Sequence, residues 1–204
     1  MELSPHQNDA ISELINIGYG RAAQALSELT GHRITLQVPR VSVHRIDEVT
    51  PLLEGTVYGE VASVNQLFSG PIAGNSLLLL DEEAAITLVR LISDEHTAAG
   101  GLDAGAREII TEVGNILLNA CLGVFGNLLK VQISFSMPRL QVEKIQDVMR
   151  SVQGDSSEVQ HALMIHTRFQ LLEGAVSGYM VIILGLASLD CLLERVESWE
   201  QGVA

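Results

Sequence analysis

The stretch Asp9–Ala23, DAISELINIGYGRAA, has a counterpart further along the chain in Glu108–Leu122, EIITEVGNILLNACL, and this pair decides how the rest is read. At about 100° per residue, Asp9, Glu13, Asn16 and Gly20 fall on one narrow arc of a helix. Ile11, Leu14, Ile15, Gly18, Ala22, Ala25, Leu26 and Leu29 fall on the opposite arc, a core-facing stripe that leaves the acid-and-amide face outward. In the second stretch Glu108, Glu112, Asn115 and Asn119 share an arc, with Ile109, Ile116, Leu118 and Leu122 crowding its margins. Two readings of those margins stay open: an apolar rim for docking, or a helix buried on more sides.

Setting Asn16 on Asn115 gives a register that runs without a gap to Val49 and Val148. Glu13 then meets Glu112, Ile17 meets Ile116, and Pro39-Arg40 meets Pro138-Arg139. After a short insertion Gly74 meets Gly178, and Leu77–Leu80 meets Val181–Leu184. Such self-similarity identifies a tandem duplication. Each copy reads as a long helix, three strands and a short helix. In copy one these run from about Gln7 to Leu29, Arg33 to Val38, Thr56 to Phe68, Ser76 to Leu80 and Glu82 to Ser93. In copy two they run from about Ala104 to Leu129, Val131 to Met137, Val159 to Leu172, Tyr179 to Leu184 and Ala187 to Val196.

A three-stranded half leaves open sheet edges, so the halves are expected to share their strands. The expectation is an α+β fold: a pseudo-twofold repeat with one central, mostly antiparallel sheet and two long helices packed on it. It forms a single domain over 1–204, with repeats at about 1–96 and 102–204. Thr97–Gly101 separates the copies, and Gln153–Ser157 is a polar loop inside the second. With both repeats in one chain, a monomer is expected.

Composition removes several functions. Twelve Lys and Arg against 25 Asp and Glu give a net charge of -13, with no basic run to follow a nucleic-acid backbone or an anionic membrane. No export signal or bilayer span is visible, so the expected compartment is the cytoplasm. Cys121 and Cys191 lie among apolar neighbours without CxxC spacing and read as reduced packing residues. The six histidines show no HxxxH or HExxH pattern, so no metal or cofactor bound by this chain is expected.

A lone surface Glu-x-x-Asn is usually solvated decoration; two at matching positions need a reason. Asn is a mediocre residue in mid-helix, and Gly18 and Gly20 each cost about 1 kcal/mol of helix propensity relative to Ala. An Asn amide both donates and accepts, so it can hold a water in line with a phosphoryl group, while a carboxylate nearby binds a partner's cation. Gly18-Tyr19-Gly20 lacks the third glycine of a nucleotide loop and is read as close helix packing.

With Asp9-x-x-x-Glu13-x-x-Asn16-Ile17-Gly18-x-Gly20 and the second Glu112-x-x-Asn115, the chain resembles the CheC-type chemotaxis phosphatases (the CheC/CheX/FliY family) over nearly its whole length. The resemblance implies two helices flanking a central sheet, each presenting Glu and Asn to a phosphorylated CheY-type response regulator and speeding loss of its aspartyl phosphate. Asn16 and Asn115 would orient the attacking water. Glu13 and Glu112 would contact a lysine beside the phosphorylated aspartate, and Mg²⁺ would belong to the regulator. Asp9, Gly20, Glu108 and Asn119 would line the partner contact. The receptor deamidase CheD is implied as a second partner. The family's stripe opens on Asp or Ser, and copy two departs from it with Glu108.

Two competing readings remain. One is a noncatalytic regulator-binding or flagellar-switch adaptor of the same fold, against which both Glu-x-x-Asn pairs and the absence of long extra segments argue. The other is a small-molecule enzyme with paired carboxylates, disfavoured because Glu13 and Glu112 lie on separate helices and face outward.

Overall fold

Ser4 opens the first helix with a reciprocal cap: the Gln7 backbone N–H donates to Ser4 Oγ at 3.1 Å, and the Ser4 backbone N–H donates to Gln7 Oε1 at 3.0 Å. Pro5 supplies the first helical residue and Gly31, at φ 74°, ends the run. The computed structural model describes residues 3–57, 59–93, 101–153, 160–171 and 174–200, apart from the side chains of residues 38–40, 171 and 200. Helix α1 is Pro5–Thr30, followed by β1 (Thr35–Arg45), α2 (Ile46–Glu54), β2 (Glu60–Ser69), β3 (Gly74–Asp81) and α3 (Glu82–Ile92). Then come α4 (Ala104–Leu128), β4 (Ser134–Phe135), β5 (Arg139–Lys144), α5 (Ile145–Gln153), β6 (Gln160–Leu171), β7 (Gly174–Gly185) and α6 (Leu186–Glu200).

The fold is α+β with one antiparallel sheet, ordered β1-β6-β7-β3-β2, with β5 and β4 both pairing β2 along its outer edge. The halves interleave. Among the described residues β1 joins the sheet only through β6 of the second half, and β5 only through β2 of the first. Along β3 the side chains alternate between two cores: Leu78 and Leu80 face one, Leu77 and Leu79 the other. Met180, Ile182 and Leu184 of β7 join the first, Val181 and Ile183 the second. Strands covered on both faces read as unbroken apolar runs, which is why Leu77–Leu80 and Val181–Leu184 show no polar alternation. The larger core takes α1, α3, α4 and α6; the smaller takes α2 and α5.

Both long helices therefore sit on the same face of the sheet, side by side, rather than flanking it. Their contact is close: a Cβ on Gly18 would stand 2.8 Å from Cys121 Cα. Gly20 has open space where its side chain would be, so packing explains the first glycine of Gly18-Tyr19-Gly20 and not the second.

The helix-strand-strand-strand-helix order misses α2 and α5. Ile46, Val49 and Leu53, like Ile145, Val148, Met149 and Val152, repeat at helical spacing, and they cover the sheet's second face. The strand expected over Val131–Met137 shrinks to Ser134–Phe135, and the ladder resumes at Arg139 past Pro138, which has no N–H to give. Leu29, placed on the core stripe, is 61% exposed at the last turn of α1. The loop Thr97–Gly101 lies outside the described residues except Gly101, as does Gln153–Ser157 except Gln153. The ends of the expected strand Val159–Leu172, and Tyr58 within Thr56–Phe68, also lie outside them. Helix α4 is long and apolar enough, by length and composition alone, to cross a bilayer; half of its most apolar window is buried in the larger core.

Candidate functional site

On α1 the expected stripe is fully presented. Asp9, Glu13, Asn16 and Gly20 are all exposed, while Ala10, Ile11, Leu14, Ile15, Gly18, Tyr19, Ala22 and Leu26 are buried beneath them. Among the described residues the Glu13 carboxylate and the Asn16 amide engage no hydrogen-bond partner, so both are free to meet an incoming molecule. The helix is anchored from below by Tyr19, whose hydroxyl bonds Thr167 on β6. Burial pushes the Tyr19 pKa well above its ordinary value, with the neighbouring Cys121 adding to the rise and the Thr167 bond opposing it.

On α4 the geometry differs. Glu108 and Glu112 are exposed, but Asn115 and Asn119 are half-buried and bonded to one another, Asn119 Nδ2 donating to Asn115 Oδ1 at 2.5 Å. Asn115 Nδ2 in turn reaches Glu112 Oε2 at 3.5 Å, the outer limit of such a bond. The buried Gln66 of β2 donates to Asn119 Oδ1 at 3.2 Å and to the Ser136 carbonyl at 3.0 Å. Gln66 escaped the sequence reading: a lone Gln in an apolar strand carries no spacing signal, and only the fold sets it under α4.

The margins of the second stripe divide. Leu118 and Leu122 are buried in the larger core, which settles those two positions as packing. Ile109 instead lines a groove of about 420 Å³ with Leu29, Ile92, Glu108, Glu112 and Val113. On the other flank Glu108 and Glu112 border a second groove, of about 550 Å³, with Arg107, Thr111, Pro138 and Leu140. Because the end of α1 borders the first half of α4 in the apolar groove, the two helices run antiparallel and their stripes lie toward opposite ends of the pair.

Cys121 is buried, which raises its thiol pKa, and Cys191 is half-buried; both are free thiols. Among the described residues no three His, Cys, Asp or Glu side chains gather where they could hold a metal ion. The chemistry on offer is therefore that of exposed carboxylates beside carboxamides, which can grip a cation and orient a water.

The CheC-like family model matches residues 7–43, a stretch that takes in Glu13 and Asn16 but not Glu112 or Asn115. The chain is 25% identical over 169 residues to the CheY-P phosphatase CheC of Bacillus subtilis (strain 168), covering 81% of this chain and 80% of that protein. In fold it is similar to the crystal structure of Thermotoga maritima FliY, with a TM-score of 0.76 at 21% identity and all of both chains covered. It is also similar to the FliM middle domain from H. pylori, with a TM-score of 0.65 at 13% identity, covering 95% of this chain and 99% of that one. The likeness to CheC-type proteins read from the α1 stripe is thus found by family model and by sequence, and the fold is similar to those of FliY and the FliM middle domain.

Proposed function

We propose that this protein accelerates hydrolysis of the aspartyl phosphate on a CheY-type response regulator in chemotaxis signalling. The observation that carries the proposal is the exposed face of α1, where Glu13 and Asn16 stand unpartnered one helical turn apart on a rigid, buried-side-anchored helix. A sequence relative bearing the name of a CheY-P phosphatase supports it. Glu13 and Glu112 grip a lysine of the regulator, and Asn16 and Asn115 reach into its phosphate pocket and orient the attacking water. Asp9, Gly20 and Glu108 border the contact. The phosphate and Mg²⁺ belong to the regulator, so catalysis here is positioning inside a site the partner has already charged.

The chain acts as one domain and as a cytoplasmic monomer, with two sites inherited by duplication. The order α1-β1-α2-β2-β3-α3 against α4-β4-β5-α5-β6-β7-α6 supports that history. A CheD-type deamidase would be a further partner. A noncatalytic adaptor is the second reading, favoured by the likeness in fold to the FliM middle domain.

The test follows phosphate release from a phosphorylated CheY-type regulator with wild type, Asn16→Ala, Asn115→Ala and the double variant. Each single substitution slows release, and the double lowers the accelerated rate on the order of 100-fold, as lost positioning does. A double variant as fast as wild type removes the mechanism. Binding of the phosphorylated regulator with an unchanged phosphate lifetime replaces it with the adaptor.

A further inference from the structure

Four carboxamide and carboxylate groups beneath the second stripe form a chain whose direction is fixed at both ends. At one end the Ser136 backbone carbonyl can only accept, so the Gln66 side chain must turn its NH₂ toward it, at 3.0 Å. The second N–H of that group then points at Asn119, whose oxygen accepts it at 3.2 Å. With its oxygen committed, Asn119 has its NH₂ facing Asn115, and the Asn115 oxygen accepts at 2.5 Å. The Asn115 NH₂ is left facing Glu112, a carboxylate that can only accept, at 3.5 Å. No amide in the chain can flip without setting donor against donor or acceptor against acceptor. Gln66 itself is 2% exposed, its NH₂ held between the Ser136 carbonyl and Asn119 of α4, so the chain starts from a buried group.

The first stripe has no such support. The repeat register sets Gly20 where copy two has Asn119, and open space surrounds it. Among the described residues Asn16 has no partner, so its amide turns freely.

Resting on the reading of Asn115 as a water-orienting residue, we propose that Gln66 and Asn119 are positioning residues of the second site. They hold the Asn115 carboxamide in a single orientation before the regulator arrives, while Asn16 must be ordered by the regulator itself. The Asn119 bond occupies one lone pair of the Asn115 oxygen and leaves the other open to accept from a water. The long bond to Glu112 is the one given up. When Glu112 turns to a partner's ammonium group, the Asn115 NH₂ is released toward the reacting phosphate while its oxygen stays pinned from behind. The two sites thus differ by design: one is preset, the other adaptable.

The experiment uses the full chain and begins with the free protein. Side-chain ¹⁵NH₂ relaxation is expected to show Asn115 more ordered than Asn16, and Asn119→Asp, which keeps size and acceptor but removes the donor, is expected to lower the Asn115 order to that of Asn16. An Asn115 as mobile as Asn16 in wild type overturns the proposal, whatever the activity. Kinetics then follow in an Asn16→Ala background, where only the second site works. There Asn119→Asp is expected to lower kcat ~10-fold, the scale of one lost orienting hydrogen bond, with KM for the phosphorylated regulator unchanged. A rise in KM at constant kcat makes Asn119 a partner contact and overturns the positioning role. If no variant including wild type speeds hydrolysis, the proposed function fails, and the relaxation comparison still decides whether the chain holds Asn115.

Discussion

Gly18 of α1 meets the backbone of α4 at Cys121, where an added Cβ would stand 2.8 Å from Cys121 Cα. Separation of the helices, or a shift of one along the other, is the only relief. Gly18→Ala is therefore expected to destabilise the fold by about 1–3 kcal/mol from overpacking, more than the about 1 kcal/mol gained in helix propensity. Gly20→Ala, facing open space, is expected to stabilise by about 0.5–1 kcal/mol. Urea midpoints of the two variants should move in opposite directions; movement in the same direction contradicts this packing.

Burial of the Tyr19 hydroxyl against Thr167 makes stability sensitive to alkali. The folded-state pKa lies well above the unfolded value near 10.0, so above that pH the folded chain holds a proton that the unfolded chain has lost. Stability from this group is thus complete below about pH 10 and declines as pH rises past the unfolded value. Tyr19→Phe is expected to cost about 1 kcal/mol at neutral pH by leaving the Thr167 hydroxyl only its long bond to the Ile165 carbonyl. It should also flatten the loss of stability between pH 9 and 11, as equilibrium urea unfolding would reveal.

The two thiols should separate cleanly under an aromatic disulfide reagent. Cys121 is fully buried and its pKa is raised by burial, whereas Cys191 is half-buried on α6. In native buffer Cys191 is expected to react first, and Cys121 at the rate of global unfolding. Equal rates for both would mean that α4 opens locally.

Leu29 offers a test of the apolar groove beside Glu112. Since it is 61% exposed, Leu29→Ser should change stability by less than about 0.5 kcal/mol. If the regulator covers this groove, KM for the phosphorylated regulator rises several-fold at constant kcat when the first site is silenced by Asn16→Ala. An unchanged KM removes Leu29 from the contact.

Much of the architecture was legible because two independent periods coincide with it. The 3.6-residue stripe of Ile11, Leu14, Ile15 and Ala22 placed α1 and its outward face, and the apolar runs Leu77–Leu80 and Val181–Leu184 placed the two central strands. Short helices α2 and α5 were lost because nine residues give barely two turns of period, and each follows directly on a strand. Which flanks of α4 stay open was also beyond the sequence. Leu118 and Ile109 are alike as residues, and only the neighbours that tertiary packing brings to each decide that one is core and the other rim. Gln66 shows the same limit, since its partners Asn119 and Ser136 come from distant parts of the chain.

The interleaved strand order bears on how the chain comes off the ribosome. When the first half has emerged, β2 and β3 can close as a hairpin, but β1 has no strand beside it and Leu77–Leu80 have no neighbour across the centre of the sheet. Both wait for β6 and β7, the last strands to be synthesised. The nascent protein therefore carries the edge of Leu77–Leu80 uncovered until its last strand is made, and the first half cannot complete its strand pairing alone. Two exposed helix faces thus sit on one interleaved body, in which neither half completes its strand pairing without the other.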